Sequence, residues 1–189
     1  MASITTENKR IHPHKFTMWV AMGSIVMMFA GLTSAYLVRR SLGNWQEFSL
    51  PLVFWYSTVA IVASSVTMHL AVKSFKARER VRYRQMITAT TLLGLAFAVL
   101  QAFGFYQLHL QGVTLIKGSN PAASFLVIIT GLHALHVIGG VVALLIIFFR
   151  AYQSKVKNYS VIPVEIVSTY WHFVDALWIY LFIFFGLTH

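Results

Sequence analysis

Five long stretches of the chain, roughly 16–38, 50–72, 86–109, 122–149 and 166–187, are almost continuously apolar, and the charged residues gather between them. Crossing the hydrocarbon of a bilayer takes about 20 such residues in an α-helix. A backbone polar group finds no water there, so only a segment that satisfies its own amides can span. The pattern predicts an all-α bundle of five transmembrane helices forming a single domain over residues 1–189. Pro51, Pro121 and Pro163 each stand just ahead of a span, where a missing N–H donor is not needed. The first stretch lacks a small-residue cleavage site and resembles the later ones, so it is expected to be retained, with Met1 as the true start. Gly31 with Ala35 and Gly94 with Ala98 place small residues one turn apart, a spacing that lets neighbouring helices approach closely.

Composition agrees with a membrane protein: 58% of residues are hydrophobic and 11% charged, and the mean hydropathy is +0.70. The net charge of +10 invites a nucleic-acid reading, which the placement of the basic residues argues against. Lys9, Arg10, Lys15, Lys73, Lys76, Arg78, Arg80, Arg82, Arg84, Arg150, Lys155 and Lys157 fall in the N-terminal tail and the second and fourth connections. The alternate connections hold only Arg39, Arg40 and Lys117. Such a bias predicts a cytoplasmic N-terminus and an external C-terminus at His189. The run from Lys73 to Arg84 has two readings, a topology signal alone or a site for anionic lipid head groups. Trp19, Tyr83 and Tyr159 are expected at the inner membrane edge, and Tyr36, Trp45, Trp55, Tyr56, Trp178 and Tyr180 at the outer one. The absence of cysteine removes thiolate-held iron–sulfur clusters, thiol nucleophiles and dithiol copper sites.

A few side chains are out of place in so apolar a chain: His133 and His136 in the fourth span, and Glu165, His172 and Asp175 in or beside the fifth. Polar groups of this kind are expensive in hydrocarbon and are functional candidates by default. A gap of three residues puts His133 and His136 on one helical face, and His172 and Asp175 on another. Glu165 lies seven residues before His172, about 10 Å nearer the cytoplasmic surface. Because the two spans are consecutive and antiparallel, the four central groups could meet at one depth. Three readings compete. Three imidazoles and a carboxylate form a reasonable metal set, or the histidines a haem pair. His172, Asp175 and Glu165 could instead be stations on a proton path. The third reading has these groups satisfy one another and fix how spans four and five pack. Residue pattern alone leaves all three open.

The run Glu165 to Trp178, containing Tyr170-Trp171-His172-Phe173-Val174-Asp175, resembles the last helix of subunit III of the haem-copper terminal oxidases. Gly131-x-His133-x-x-His136-Val137, followed by Gly139 and by Phe148-Phe149-Arg150, is similar to the preceding helix of that family. Met18-Trp19 through Phe29-Ala30-Gly31, and Leu93-Gly94-x-x-Phe97-x-x-x-Gln101, look like earlier ones. The likeness covers about residues 16–187 and corresponds to the last five helices of seven-helix members. It implies an accessory subunit of a respiratory cytochrome c oxidase in a bacterial cytoplasmic membrane. Such a subunit has no haem or copper of its own and flanks the catalytic subunit I, with subunit II nearby. It supports proton uptake, protects against turnover-linked inactivation and holds phospholipid.

Arg150 matches a family arginine that contacts a lipid phosphate. The sequence departs from the family at two glutamate positions, occupied here by Ile25 and Gly104, and both departures weaken a proton-handling role for their helices. The resemblance also admits a quinol-oxidising relative. From a different class, the polar cluster alone admits a stand-alone proton-coupled transporter or a metal-dependent membrane enzyme.

Overall fold

The computed structural model describes residues 13–41, 52–110, 121–153 and 160–188. Lys9, Arg10, Trp45, Pro51, Lys117, Lys155, Lys157, Tyr159 and His189, all named above, lie outside the described residues. The described part consists of five helices and no strand: α1 (Pro13–Arg40), α2 (Val53–Lys76), α3 (Arg80–Leu110), α4 (Pro121–Gln153) and α5 (Ile162–Thr188). All five are long and apolar enough to cross a membrane.

Helices α2, α3, α4 and α5 form a closed ring in which each packs against the next and α5 returns to α2. Helix α1 lies outside the ring, against α4 and α5 only. The most extensive packing is between α2 and α3. Their buried residues recur at alternating intervals of three and four: Phe54, Ser57, Ile61, Ser64, Met68 and Ala71 face Ile87, Thr90, Gly94, Phe97, Gln101 and Gly104. This is the seven-residue seam of a left-handed helix pair. Small and hydroxyl-bearing residues on it let the backbones approach and bond across. Gln101 Nε2 donates to Ser57 Oγ at 3.0 Å, and Ser64 Oγ donates to the Thr90 carbonyl at 3.3 Å.

The connection between α2 and α3 is only Ala77 to Glu79. Arg78 takes a φ of 59°, and the Arg78 and Glu79 amides return to the carbonyls of Phe75 and Ser74. These paired bonds close the helix in the Schellman manner, here with arginine at a position usually given to glycine. Most of the basic run from Lys73 to Arg84 thus lies on helix ends rather than on a loop. Arg84 Nε donates to the Ala151 carbonyl at 2.9 Å, and its guanidinium lies 5.3 Å from the Tyr152 ring centre. It caps one of the carbonyls left open at the end of α4.

The expected belt of interfacial aromatics is only partly present. Trp19, Trp55, Tyr56 and Tyr180 are exposed, whereas Tyr36, Tyr83 and Trp178 are buried between helices. Tyr36 sits edge-on to Phe125, Phe184 and Phe185 and ties α1 to the bundle.

Candidate functional site: the polar interior of the bundle

Helix α5 brings its chemistry to the ring along one stripe: Val164, Ser168, Trp171, Asp175, Trp178, Leu181 and Phe185 are all buried. Trp171 is fully enclosed. A Cβ added to Gly94 of α3 or to Gly140 of α4 would stand 3.0 Å from its ring carbons, so the indole fills the space that both glycines leave. Its Nε1 donates to Ser64 Oγ of α2 at 3.0 Å. One side chain thereby touches every helix of the ring. Two turns further on, Trp178 Nε1 donates to Thr58 Oγ1 at 3.0 Å.

His133 is 2% exposed and stacks on Trp178, with ring centres 5.3 Å apart. Neither of its ring nitrogens has a hydrogen-bond partner. His136, one turn later, is half-buried, and its Nδ1 lies 2.7 Å from the Leu132 carbonyl. Both imidazoles meet the edge of Phe29 on α1. The Tyr170 hydroxyl donates to the His136 carbonyl at 3.0 Å and locks α5 to α4 there.

His172 turns the other way. Its Nδ1 is 2.6 Å from Ser65 Oγ on α2. Asp175 is 3% exposed. The Ser65 hydroxyl stands beside the Asp175 carboxyl, but neither carboxyl oxygen has a partner in good hydrogen-bond geometry.

Glu165 sits apart from these groups at the start of α5. Its two oxygens take Lys15 of α1 at 2.6 Å and Lys76 of α2 at 2.7 Å. Arg150 is exposed near the end of α4, beside the Arg84 clamp.

The structure therefore divides the sequence candidates into three places. His133 and His136 face α1 and Trp178, His172 and Asp175 share Ser65 at the α2–α5 contact, and Glu165 holds two lysines. No hydrogen bond or ion pair among the described residues joins the first pair to the second. Among the described residues, no group of three or more histidines, cysteines or acids is placed to hold a metal.

Sequence reasoning passed over Ser64, Ser65, Thr58 and the pairing of Lys15 and Lys76. The serines carried a signal, because Ser57, Ser64 and Ala71 repeat every seven residues along an otherwise bulky helix.

A family model described as Cytochrome c oxidase subunit III matches residues 40–187. This chain belongs to that family. It is 36% identical over 177 residues to "Cytochrome c oxidase subunit 3" of Corynebacterium diphtheriae, covering 87% of this chain and 85% of the relative. To "Probable cytochrome c oxidase subunit 3" of Nocardia farcinica it is 34% identical, with 92% and 90% covered. To "Cytochrome c oxidase subunit 3" of Synechocystis it is 30% identical, with 82% and 67% covered. The segment matched by the subunit III model holds the whole four-helix ring and nearly excludes α1, which ends at Arg40. Trp171, both glycines beside it and all five buried or half-buried candidates of α4 and α5 fall inside it.

Proposed function

We propose that the chain is an accessory, redox-silent subunit III of a respiratory cytochrome c oxidase, one that stabilises the catalytic subunit I, supports its proton uptake and holds structural phospholipid. The family match across the entire ring supports this reading most strongly. Relatives bearing the cytochrome c oxidase name favour that enzyme over a quinol-oxidising one. Its setting is a bacterial cytoplasmic membrane, with the end that carries Lys15, Lys76 and Arg150 facing the cytoplasm, as the charge bias requires. Haem and copper belong to the partner subunits I and II. The interior polar groups then serve mainly to hold helices: a ring pinned by one tryptophan is a rigid wall against which a larger subunit can dock.

Mild detergent extraction followed by mass spectrometry of the attached proteins tests the assignment. The expected result is a haem-rich partner bound in fixed ratio, with no metal in the isolated chain. Stoichiometric iron, copper or zinc in the isolated chain would favour a metal-dependent enzyme instead. Arg150 is the proposed lipid-phosphate contact, an exposed cation at a helix end near the membrane surface. Arg150→Ala is expected to weaken lipid retention about fivefold and to hasten the loss of oxidase activity during turnover. Unchanged phospholipid content by mass spectrometry would remove Arg150 from that role.

A further inference from the structure

The carboxylate that holds Lys15 and Lys76 also forms one wall of a cavity of about 360 Å³, lined by Lys15, Trp19, Val72, Lys76, Glu165 and Thr169 among others. Ligand sites commonly enclose about 300–1,000 Å³. The cavity lies where the first turn of α1, the last turn of α2 and the first turn of α5 meet, so it opens at the end of the spans. Met18 of α1, Val72 of α2 and Ile166 of α5 add apolar surface to its lining.

Two ammonium groups share one carboxylate, which leaves one net positive charge. Each ammonium has three N–H donors and gives one to Glu165, so donors remain on both. Lys15 and Lys76 keep 40% and 57% of their side-chain surface accessible, so those donors can be reached. Trp19 is 64% exposed beside them, an amphipathic ring at the depth where lipid head groups sit.

We propose that this cavity binds the phosphate of an anionic phospholipid, with Lys15 and Lys76 as donors and the apolar lining of Met18, Val72 and Ile166 against the start of an acyl chain. This inference deepens the lipid-holding part of the proposed function and rests on that reading, but it uses a different place from Arg150. Glu165 is a positioning residue here: it draws the two lysines together and lowers the net charge they present.

The test uses the full chain in nanodiscs of phosphatidylcholine, doped with phosphatidylglycerol whose acyl chains are brominated. Quenching at Trp19 is obtained by subtracting the signal of Trp19→Phe. Brominated phosphatidylglycerol is expected to outcompete brominated phosphatidylcholine about fivefold, the effect of one net charge near the surface. Lys15→Ala with Lys76→Ala leaves the Glu165 charge alone and should bring the ratio to about one or below, and Glu165→Gln should raise it by about a further fivefold. The opposite signs separate a binding site from a fold that merely depends on the ion pairs.

Equal quenching by the two lipids would overturn the proposal, as would an unchanged ratio in the double variant. Loss of the preference to millimolar inorganic phosphate at constant ionic strength would mark a free-anion site and overturn the lipid assignment. If this site fails while Arg150→Ala still sheds phospholipid, only the present inference falls. If both fail, the lipid-holding reading falls with it.

Discussion

Trp171 shows what a single residue does in this bundle. Without a hydrophobic difference between lipid and helix, association depends on close fit and on hydrogen bonds. The indole supplies both, filling the gap beside Gly94 and Gly140 and bonding Ser64. Trp171→Ala is expected to lower stability by about 3–5 kcal/mol, read as the shift of the unfolding transition in mild detergent. Gly140→Val pushes branched carbons against the same ring and is expected to lower it by about 1–3 kcal/mol; no shift for either variant would remove the tryptophan from its central role. Asp175 belongs to the same buried stripe yet has no well-aligned partner. Asp175→Leu is expected to reduce recovery of the assembled oxidase more than the turnover of what does assemble, measured as haem recovered per cell and as rate per haem. Normal recovery with reduced proton pumping would move Asp175 to the proton-path reading. That polar residues lay in the last two spans was legible from the sequence. Which neighbour each one faces was not: His172 follows Trp171 by about 100° around the helix, and that angle sends one ring inward and the other to Ser65. Spacing within α5 fixes the angle between them but not the position of α2.

At the scale of elements, the five spans could be read almost directly, because a hydrocarbon slab imposes a minimum length and forbids exposed backbone. The ends were less legible. Helix α3 begins at Arg80 and α4 continues to Gln153, beyond the apolar stretches, since basic side chains at a helix end can bond open carbonyls and reach polar surroundings. The α2–α3 turn is the clearest case, because three residues suffice where a basic loop was expected. Arg78 there holds a left-handed conformation that costs about 1–2 kcal/mol for a residue with a Cβ. Arg78→Gly is therefore expected to raise the thermal stability of the hairpin by about 1 kcal/mol. A lowered transition temperature would show that the Arg78 side chain contributes something the turn geometry does not reveal.

On the scale of the whole molecule, the ring and the outlying helix differ in what they depend on. Helices α2 to α5 close on one another through Trp171, Trp178 and the α2–α3 seam, and none of those contacts involves α1. Helix α1 is held by Phe29 against the two imidazoles, Thr33 to the Tyr180 hydroxyl at 2.9 Å, Tyr36 among three phenylalanines, and Lys15 on Glu165. The family model's matched segment likewise begins at residue 40 and spans the ring, although the relatives align over 87–92% of the chain and so take in α1 as well. A chain lacking residues 1–51 is accordingly expected to keep a cooperative unfolding transition in detergent, shifted to lower temperature, with circular dichroism reporting four helices. Its His133 ring, whose nitrogens have no hydrogen-bond partner even in the full chain, would then also lose its contact with Phe29 and face hydrocarbon. His133→Leu should therefore recover part of the lost stability in the shortened chain, while giving a smaller gain or a loss in the full one, where the imidazole stacks on Trp178 and meets Phe29 edge-on. A shortened chain without a cooperative transition would mean that α1 is part of the folding unit, and that the ring does not close alone.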